Sequence, residues 1–395
     1  MISIETRDGR TKLARPLKKR VVERMRITFV LPMYPTVPVG GLRIVYQYAN
    51  YLCERGHVIN VVHSLSMEPM PKADFPAPVR SIWRKVLKWR RIAFPPRVRW
   101  QQLDSKINLV YLPWNLDDAR IPDADFIFAT AWKTAAFVDR LPSSKGEHCY
   151  LIQHWETWNQ DATDEVVGAT WKLPMHKIVI SRWLLEHGVA LGAKDLTHIP
   201  NAIDHNRFKI LTPPDHRAAS VVALSHSADW KGTADALSAL EMLHESHPEV
   251  SVSLFGTQPR RSTIPAWIRY FENPSQEVLV REIYNSHAIY LGASWTEGWG
   301  LPPAEAMACG CAFVGTDIGG YREYAINAET ALLSEPRNPA ALYRNLVRLI
   351  DDQDLLTKIQ TQGTEYIRQF TWDRSGRAME AWLSSLQGGG QAVAE

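Results

Sequence analysis

Cysteine is scarce in this chain, and long apolar runs are absent. The 395 residues include four cysteines, at positions 53, 149, 309 and 311. They are too few and too scattered for a disulfide framework, and no pair has the spacing of zinc ligands, so we expect reduced thiols in a cytosolic protein. No stretch of about 18 apolar residues occurs, so no transmembrane helix is expected. The basic N-terminus lacks the apolar core of a signal peptide, which favours a cytoplasmic location.

An excess of one charge is also missing. The chain carries 45 basic and 42 acidic residues, for a formal net charge of +3. This balance argues against a general nucleic-acid binder. Hydrophobic residues make up 45% of the chain, which is enough to fill two cores. The length favours two domains of ordinary size.

Strand-like and helix-like segments alternate along the chain. From Arg26, RITFVL predicts a buried strand, Gly40–Gly41 precedes apolar residues at helical spacing, and VINVVH predicts the next strand. This order predicts a doubly wound parallel sheet in an α/β fold. Further strand-like runs occupy 107–112, 125–130, 148–153, 177–181 and 197–200. The pattern restarts near 213–214, with strand-like runs at 219–225, 250–256, 288–294 and 311–317.

The restart of this pattern predicts two α/β domains. No internal repeat of short period is visible. We expect an N-terminal extension over 1–24, a first domain over 25–205, a second domain over 206–370, a C-terminal helix over 371–388 that packs on the first domain, and a flexible tail over 389–395.

One segment in the second half, EGWGLPPAEAMACG over 297–310, combines carboxylates, glycines and prolines. It follows a strand that should be buried and parallel, and ligands bind at that edge of such sheets. Gly298 and Gly300 allow a close approach of the backbone, and Pro302 suits the first turn of a helix. A helix N-terminus favours an anion such as a diphosphate.

Two carboxylates flank this predicted anion site. Glu297 lies in the loop, and Glu305 is expected in the first turn of the helix. Carboxylates accept hydrogen bonds from hydroxyls. The pair therefore points to a sugar nucleotide, with the sugar on one side of the diphosphate and the ribose on the other. The alternative is that Glu305 caps the helix and Glu297 is solvated.

The segment SWTEGWGLPPAEAMACGCAFV (294–314) resembles the signature of retaining glycosyltransferases of family four, in which two glutamates enclose seven residues. The similarity extends through IPNAIDHNRF (199–208) and VGGLRIVYQYANYLCERGH (39–57). LIQHWETW and HKIVISRWL look most like the rhamnosyl- and hexosyltransferases of bacterial surface polysaccharide synthesis. The resemblance implies the GT-B fold, with two Rossmann-like doubly wound domains facing each other across a cleft.

The resemblance also implies an activity. It implies retaining transfer of a hexosyl or deoxyhexosyl unit, such as rhamnosyl, from a nucleoside-diphosphate sugar to a glycan or lipid-linked acceptor. No metal or other cofactor is expected, because a helix dipole and Lys231 can stabilise the diphosphate leaving group. The D-x-D sequence at Asp123 and Asp125 precedes a strand as a turn does, so no metal is expected there.

The same sequence features fit other function classes. A sugar-nucleotide epimerase on the same fold and a degenerate nucleotide-sugar-binding protein stay open. An NAD-dependent dehydrogenase is disfavoured, because no G-x-G-x-x-G follows the first strand.

By the family pattern, the donor is held mainly by the second domain. Glu297 would bind hydroxyls of the donor sugar, Glu305 the ribose, and the backbone near Gly300 the diphosphate. Lys231 stands where the family has a phosphate-binding lysine. The predicted donor-binding residues are Gly40, Gly41, His226, Lys231, Glu297, Gly298, Trp299, Gly300, Leu301 and Glu305.

The sequence departs from the family at one position. An arginine that usually precedes the lysine is missing, and Ser225 or His226 stands there instead. A protonated His226 is one candidate replacement for its charge, and Arg322 is another.

The acceptor side is expected in the first domain. A histidine near the position of His154 lies beside the reacting centre in relatives, although a lone histidine after a strand is as often structural. The predicted acceptor-side residues are Trp132, His154, Trp155, Glu156 and Trp158, and the predicted catalytic residues are Glu297, Lys231 and His154.

The stretch 80–100 holds eight Arg or Lys residues, three Trp, one Phe and no acidic residue. Ile82, Trp83, Val86 and Leu87 share one face of a predicted helix. This composition suits peripheral contact with an anionic membrane, at the inner face where a lipid-linked acceptor would lie. A solvated cover helix and a loop over the acceptor cleft are the alternatives.

Overall fold

Two parallel sheets organise the chain. The computed structural model describes residues 23–35, 38–64, 82, 85–86, 89–90, 93–94, 98–112, 118–158 and 161–389. Within these ranges, seven strands form one sheet and six form the other. The N-terminal residues 1–22, with the turn expected at 7–9, lie outside the described residues, as do 390–395.

The first sheet has the strand order of a doubly wound fold. Its order is β3-β2-β1-β4-β5-β6-β7, and every pairing is parallel. The strands read as nearly continuous apolar runs because helices cover both faces of such a sheet. The strands are β1 (Arg26–Leu31), β2 (Val58–Ser64), β3 (Asn108–Leu112), β4 (Phe126–Ala129), β5 (Glu147–Ile152), β6 (His176–Val179) and β7 (Leu196–His198).

The second sheet repeats this order on six strands. It runs β10-β9-β8-β11-β12-β13, again parallel throughout. Its strands are β8 (Ser220–Leu224), β9 (Ser251–Gly256), β10 (Arg269–Glu272), β11 (Ile289–Gly292), β12 (Ala312–Thr316) and β13 (Leu332–Ser334).

Helices connect the strands and cover the sheets. The described helices are α1 (Gly40–Glu54), α2 (Trp132–Val138), α3 (Asp164–Trp171), α4 (Arg182–Ala190), α5 (Thr233–Ser246), α6 (Gln276–Val278, continued by a π-helix over Leu279–Tyr284), α7 (Leu301–Ala308), α8 (Pro339–Asp351), α9 (Gln353–Ile367) and α10 (Trp372–Gly389). None of these helices is long and apolar enough to cross a membrane.

Each strand predicted by a sequence run is present to within two residues. Helix α1 begins at Gly40 as predicted, and its apolar positions from Leu42 to Cys53 are buried. The sequence reasoning did not predict β10 and β13. These strands are short edge strands with four and three residues, so they carry little periodic signal.

The last helix lies against the first domain. The chain leaves the second domain through a bridge between Ile203 and Thr371, and α10 then packs on α1. Glu380 of α10 is 5% exposed and binds two groups at the end of α1. Its Oε2 lies 2.9 Å from Nη2 of Arg55, and its Oε1 lies 3.0 Å from Nε2 of His57.

Replacing Glu380 with alanine is expected to lower the free energy of unfolding by about 1–3 kcal/mol. The change leaves the buried imidazole of His57 without its carboxylate. Urea denaturation of wild type and variant measures the effect. Asp373→Ala is the matched control, because Asp373 is 63% exposed and pairs with Arg377 on the surface of the same helix. A loss no larger than that of the control would contradict the assignment.

Candidate active site

The predicted donor residues meet where the two sheets face each other. Gly40 follows β1, Lys231 follows β8 and Glu297 follows β11, so all three lie at the carboxyl ends of central strands. In each sheet the strand order reverses at this point, β1 against β4 and β8 against β11. Doubly wound sheets bind ligands at such a reversal.

The loop before α7 approaches the first domain closely. A side chain at Gly298 would meet the carbonyl oxygen of Gln153. Nε2 of Gln153 donates to the carbonyl of Gly41 at 3.1 Å, and Nε1 of Trp183 donates to the carbonyl of Gly298 at 3.1 Å. The glycine predicted for close backbone approach therefore serves a contact between the domains.

Gly300 has a conformation that favours glycine. Its φ is +89°, and it stands as the residue before α7. The hydroxyl of Tyr324 donates to its carbonyl at 2.7 Å. These restraints fix the loop directly before α7. No side chain caps the helix, and since Pro302 and Pro303 have no N–H, Leu301 carries the free backbone donor of its first turn.

The starts of α1 and α7 face each other. A Cβ built on Gly40 would lie 3.5 Å from Cδ1 of Leu301. Neither helix has a side-chain cap at its N-terminus. The two helix N-termini therefore lie close together, and each carries the partial positive charge that favours an anion.

Lys231 and Glu297 form an ion pair beside this space. Nζ of Lys231 lies 2.7 Å from Oε1 of Glu297, and the hydroxyl of Ser294 donates to the same oxygen at 2.9 Å. Glu297 is 8% exposed. Among the described residues both donors use Oε1, which leaves Oε2 for a ligand hydroxyl. The alternative of a solvated Glu297 is wrong.

Glu305 lies deeper than the sequence predicted. Since α7 begins at Leu301, Glu305 is its fifth residue and not part of the first turn. It is 2% exposed, with Nη1 of Arg43 at 2.5 Å from Oε1 and the hydroxyl of Tyr284 at 3.3 Å from Oε2. Burial raises the pKa of Glu305, and Arg43 opposes this shift. The capping alternative is also wrong, because this carboxylate binds Arg43 of the first domain.

His154 is placed beside the ion pair of Lys231 and Glu297, whose charges both act on its pKa. Its Nδ1 lies 2.9 Å from the carbonyl of Trp155 and must donate, so Nε2 carries the lone pair. Nε2 is buried and has no hydrogen-bond partner among the described residues. Burial lowers the pKa of His154 and favours the neutral ring, while Glu297 and the backbone carbonyls of Trp155 and Thr296 oppose this shift. Such an acceptor can receive a hydroxyl from a ligand.

An aromatic box surrounds His154. Its ring lies 4.8 Å from Trp158, 5.5 Å from Trp230 and 6.2 Å from Trp183. Trp158 of the first domain stacks on Trp230 of the second at 5.5 Å and 13°. Lys231 places Nζ 4.3 Å from the centre of the Trp230 ring. The acceptor-side loop and the phosphate-side loop are thus in direct contact.

Two other predicted acceptor residues pack within the first domain. The ring of Trp155 lies 4.4 Å from that of His187, and its Nε1 donates to Asp164. Oε2 of Glu156 accepts the backbone N–H of Trp132 at 2.6 Å. Burial raises the pKa of Glu156 to about 7. The N–H of Trp132 and the charge of Lys133 oppose this rise in the pKa of Glu156.

Two predicted residues differ from expectation. The side chain of Trp299 is 1% exposed and packs on Tyr324 and Phe370 in the core, so only its backbone belongs to the loop. His226 does not carry the predicted charge. Its Nδ1 accepts the N–H of Ala228 at 3.0 Å, and burial together with Lys231 lowers its pKa.

Arg322, the other candidate for the missing charge, is already paired. It makes two hydrogen bonds to Asp317, at 2.6 and 2.8 Å, and its side chain is 62% exposed. In this structure the guanidinium of Arg322 therefore does not supply the missing positive charge of the donor site.

Several residues of the site escaped the sequence reasoning. Arg43, Gln153 and Trp230 each contact a predicted site residue. In these contacts the partners lie between 76 and 262 positions away in the chain, beyond the reach of any local pattern. A signal did exist for Arg43, which follows the glycine pair directly after Leu42.

No group of three or more His, Cys, Asp or Glu side chains in the described ranges is arranged to hold a metal ion. The D-x-D residues lie at the opposite, amino end of the first sheet. Asp125 binds Arg26 at 2.7 Å and Asp123 binds Lys145 at 2.8 Å.

Part of the chain is similar to a known protein family. Residues 207–366 match the family described as glycosyl transferases group 1. The matched residues make up most of the second domain and are similar to this family. Glycogen synthase of Mycobacterium tuberculosis is 27% identical to this chain over 171 residues, which are 41% of each protein. An uncharacterised glycosyltransferase of Methanocaldococcus jannaschii is 32% identical over 81 residues, which are 20% of this chain and 23% of that protein.

The aligned part of the chain spans less than half the length of these curated relatives. The fold likeness covers more. The crystal structure of Anabaena HepE in complex with UDP-glucose matches 92% of this chain and 100% of that one, with a TM-score of 0.66 and 15% identity. At this identity the likeness speaks for the fold alone, and it confirms the predicted fold class of two Rossmann-like α/β domains in the GT-B arrangement.

Stability near Glu156 is expected to depend on pH in a defined direction. Its folded pKa of about 7 exceeds the ordinary value of 4.5. The folded protein therefore holds this proton more tightly than the unfolded chain. Stability falls as the pH rises from about 4.5 to about 7 and is lowest, through this group, above pH 7.

Replacing Glu156 with glutamine removes this penalty and keeps an acceptor for the N–H of Trp132. The variant should exceed wild type in free energy of unfolding by roughly 2–4 kcal/mol at pH 8, and the difference should vanish towards pH 4.5. Urea denaturation across this pH range measures it. Glu165→Gln, on the exposed face of α3, is the control. A difference that does not change with pH would refute the assignment.

Proposed function

We propose that the protein is a retaining glycosyltransferase that uses a nucleoside-diphosphate sugar. The observation that carries this proposal is the ion pair of Lys231 and Glu297 at the N-terminus of α7, with His154 beside it. It offers a cation and two helix ends to a diphosphate, and a carboxylate and an imidazole to sugar hydroxyls. The UDP-glucose bound by HepE, a protein of the same fold, supports a sugar nucleotide as the donor.

The proposed donor pose follows from this division of charge. The diphosphate lies at the starts of α1 and α7 with Lys231, and the ribose hydroxyls donate to Glu305. The sugar hydroxyls donate to Glu297 and to Nε2 of His154. Nε2 of His154, which has no partner among the described residues, then gains a donor, as buried polar atoms require.

The proposed reaction loosens the bond between the sugar carbon and the diphosphate oxygen. Lys231 and the helix dipoles stabilise the negative charge that develops on the leaving group. The acceptor hydroxyl forms the new bond on the same face, and a phosphate oxygen takes its proton. The configuration at the sugar carbon is retained.

The proposed donor sugar is a hexosyl or deoxyhexosyl unit, with rhamnosyl as one member of that class. The proposed acceptor is a glycan or a lipid-linked glycan in polysaccharide or glycoconjugate synthesis. The stacked Trp158, which is 44% exposed at the mouth of the cleft, supports a sugar acceptor. Aromatic rings of this kind offer flat apolar surface beside polar groups.

Calorimetric titration of UDP, GDP, dTDP and ADP is the test of the donor site. One nucleotide is expected to bind in the micromolar range, and Lys231→Ala should weaken that binding by about 10- to 100-fold, because the phosphate loses a charged hydrogen bond. Lys358→Ala is the matched control, since Lys358 is exposed on α9 away from the cleft. If none of the four nucleotides binds, the proposed donor site is wrong.

The next experiment incubates the protein with sugar nucleotides that carry the base it binds. The products distinguish the three function classes. Slow release of free sugar, and faster transfer when a glycan acceptor is added, is the result expected of a transferase. Formation of an epimeric sugar nucleotide would instead identify an epimerase. Binding without turnover would identify a nucleotide-sugar-binding protein.

We further propose that the segment 80–100 contacts an anionic membrane from the cytoplasmic side. In its described part, Ile82, Val86 and Trp89 lie at helical spacing and are 64%, 59% and 65% exposed. Phe94 is 78% exposed, and Lys85 and Arg90 are exposed between these apolar residues. Exposed apolar side chains mixed with basic ones are typical of helices that lie at a membrane surface.

Vesicle co-sedimentation tests this contact. The protein is expected to pellet with phosphatidylglycerol vesicles and to stay in solution with phosphatidylcholine. Val86→Glu should weaken binding by about tenfold, because an apolar side chain no longer enters the interface. Val189→Glu is the control, since Val189 is 64% exposed on α4. Equal binding by all three proteins would contradict the proposal.

A further inference from the structure

The donor site has a gap in positive charge on the second domain. The arginine expected near the lysine is replaced by Ser225 and His226. His226 is held neutral by the N–H of Ala228, and Arg322 is committed to Asp317. Lys231 is the basic side chain of the second domain that pairs with Glu297, and the exposed Arg261 lies near enough to His226 to lower its pKa. A diphosphate carries more negative charge than the single positive charge of one lysine can neutralise.

A second basic side chain reaches the site from the other domain. Arg43 lies in the first turn of α1, two residues after Gly41, and its guanidinium crosses to Glu305 of α7. Its side chain is 15% exposed, and the guanidinium packs over the ring of Phe208 at 5.1 Å. The guanidinium is therefore enclosed at the boundary between the two domains.

The distance from Arg43 to the phosphate position is short. Glu305 is four residues beyond Leu301, which corresponds to about 6 Å along a helix axis. The start of α1 and the start of α7 lie close together, since a Cβ built on Gly40 would be 3.5 Å from Cδ1 of Leu301. A change of side-chain rotamer can carry the guanidinium from Glu305 to an anion at the N-terminus of α7.

We propose that Arg43 is a diphosphate-binding residue that supplies, from the first domain, the charge that the second domain lacks. The inference rests on the proposed function. In the free protein Arg43 pairs with Glu305. When a nucleotide binds, the ribose hydroxyls take over Glu305, and the guanidinium turns to the phosphate oxygens.

The surroundings of Glu305 make this exchange feasible. Tyr284 keeps a hydrogen bond to its other oxygen, and Arg207 lies near enough to act on its charge. The carboxylate is therefore not left without donors when Arg43 departs. Lys231 and Glu297 undergo the same exchange on the sugar side. Both carboxylates exchange a basic side chain for ligand hydroxyls as their hydrogen-bond partners. Both basic side chains then bind phosphate oxygens instead of carboxylates.

The experiment compares a nucleoside, its monophosphate and its diphosphate, with the base that wild type selects. Arg43→Met is expected to weaken diphosphate binding by about 10- to 100-fold and nucleoside binding by less than about threefold, because the lost contact is to phosphate. Arg43→Lys should keep part of the preference for the diphosphate and also serves if the methionine variant does not fold. Arg322→Met, which removes the other candidate guanidinium, should change neither affinity.

A double-mutant cycle separates phosphate binding from support of Glu305. In a Glu305→Gln background Arg43 has no carboxylate to hold, yet Arg43→Met should still weaken diphosphate binding at least tenfold. No further loss in that background, or equal losses for nucleoside and diphosphate, would overturn the inference and make Arg43 a partner of Glu305 only. A phosphate-dependent loss in Arg261→Met with none in Arg43→Met would also overturn it. Absence of diphosphate binding to wild type would instead refute the proposed function itself.

Discussion

Two buried carboxylates, each held by a basic side chain, determine how this protein is built around its cleft. Glu297 is paired with Lys231 inside the second domain, and Glu305 is paired with Arg43 across the domain boundary. A carboxylate that is 2% or 8% exposed is costly to keep charged without such a partner. The pairs therefore hold the acidic groups in place. They also set basic side chains and carboxylates next to each other, as the proposed ligand, with a diphosphate between two sets of hydroxyls, requires.

The loop with Gly298 and Gly300 makes this arrangement of charged groups possible, because it lets the two domains approach each other closely. Gly298 lies against the backbone of Gln153, and the Gln153 amide binds Gly41 on the other side. A residue with a side chain at Gly298 would push the domains apart and separate Arg43 from Glu305. The ion pair of Arg43 with Glu305 and the closeness of the two helix starts thus both depend on the close backbone approach. A ligand bound there would contact both domains.

The fold could be predicted from sequence because its signals are local. Apolar strand runs, the glycine pair before α1 and the prolines at the start of α7 each act within a few residues, and the structure agrees with them. Glu305 lies one residue further into α7 than predicted, just beyond the first turn, because α7 begins at Leu301. Its partner Arg43 is 262 positions away, and the neutral state of His226 depends on a turn that the sequence does not reveal. Spacing predicts which residues follow a strand, but tertiary packing decides what they pair with.

A crystal structure with the nucleoside diphosphate that binds in solution tests the central claim most directly. The account predicts phosphate oxygens within about 3 Å of Nζ of Lys231 and of the backbone N–H groups of Gly300 and Leu301, and ribose hydroxyls at the same distance from Glu305. It also predicts that Arg43 has left Glu305. A nucleotide bound elsewhere, or one bound here while Lys231 and Glu297 keep their ion pair and take no part in binding, would contradict the account.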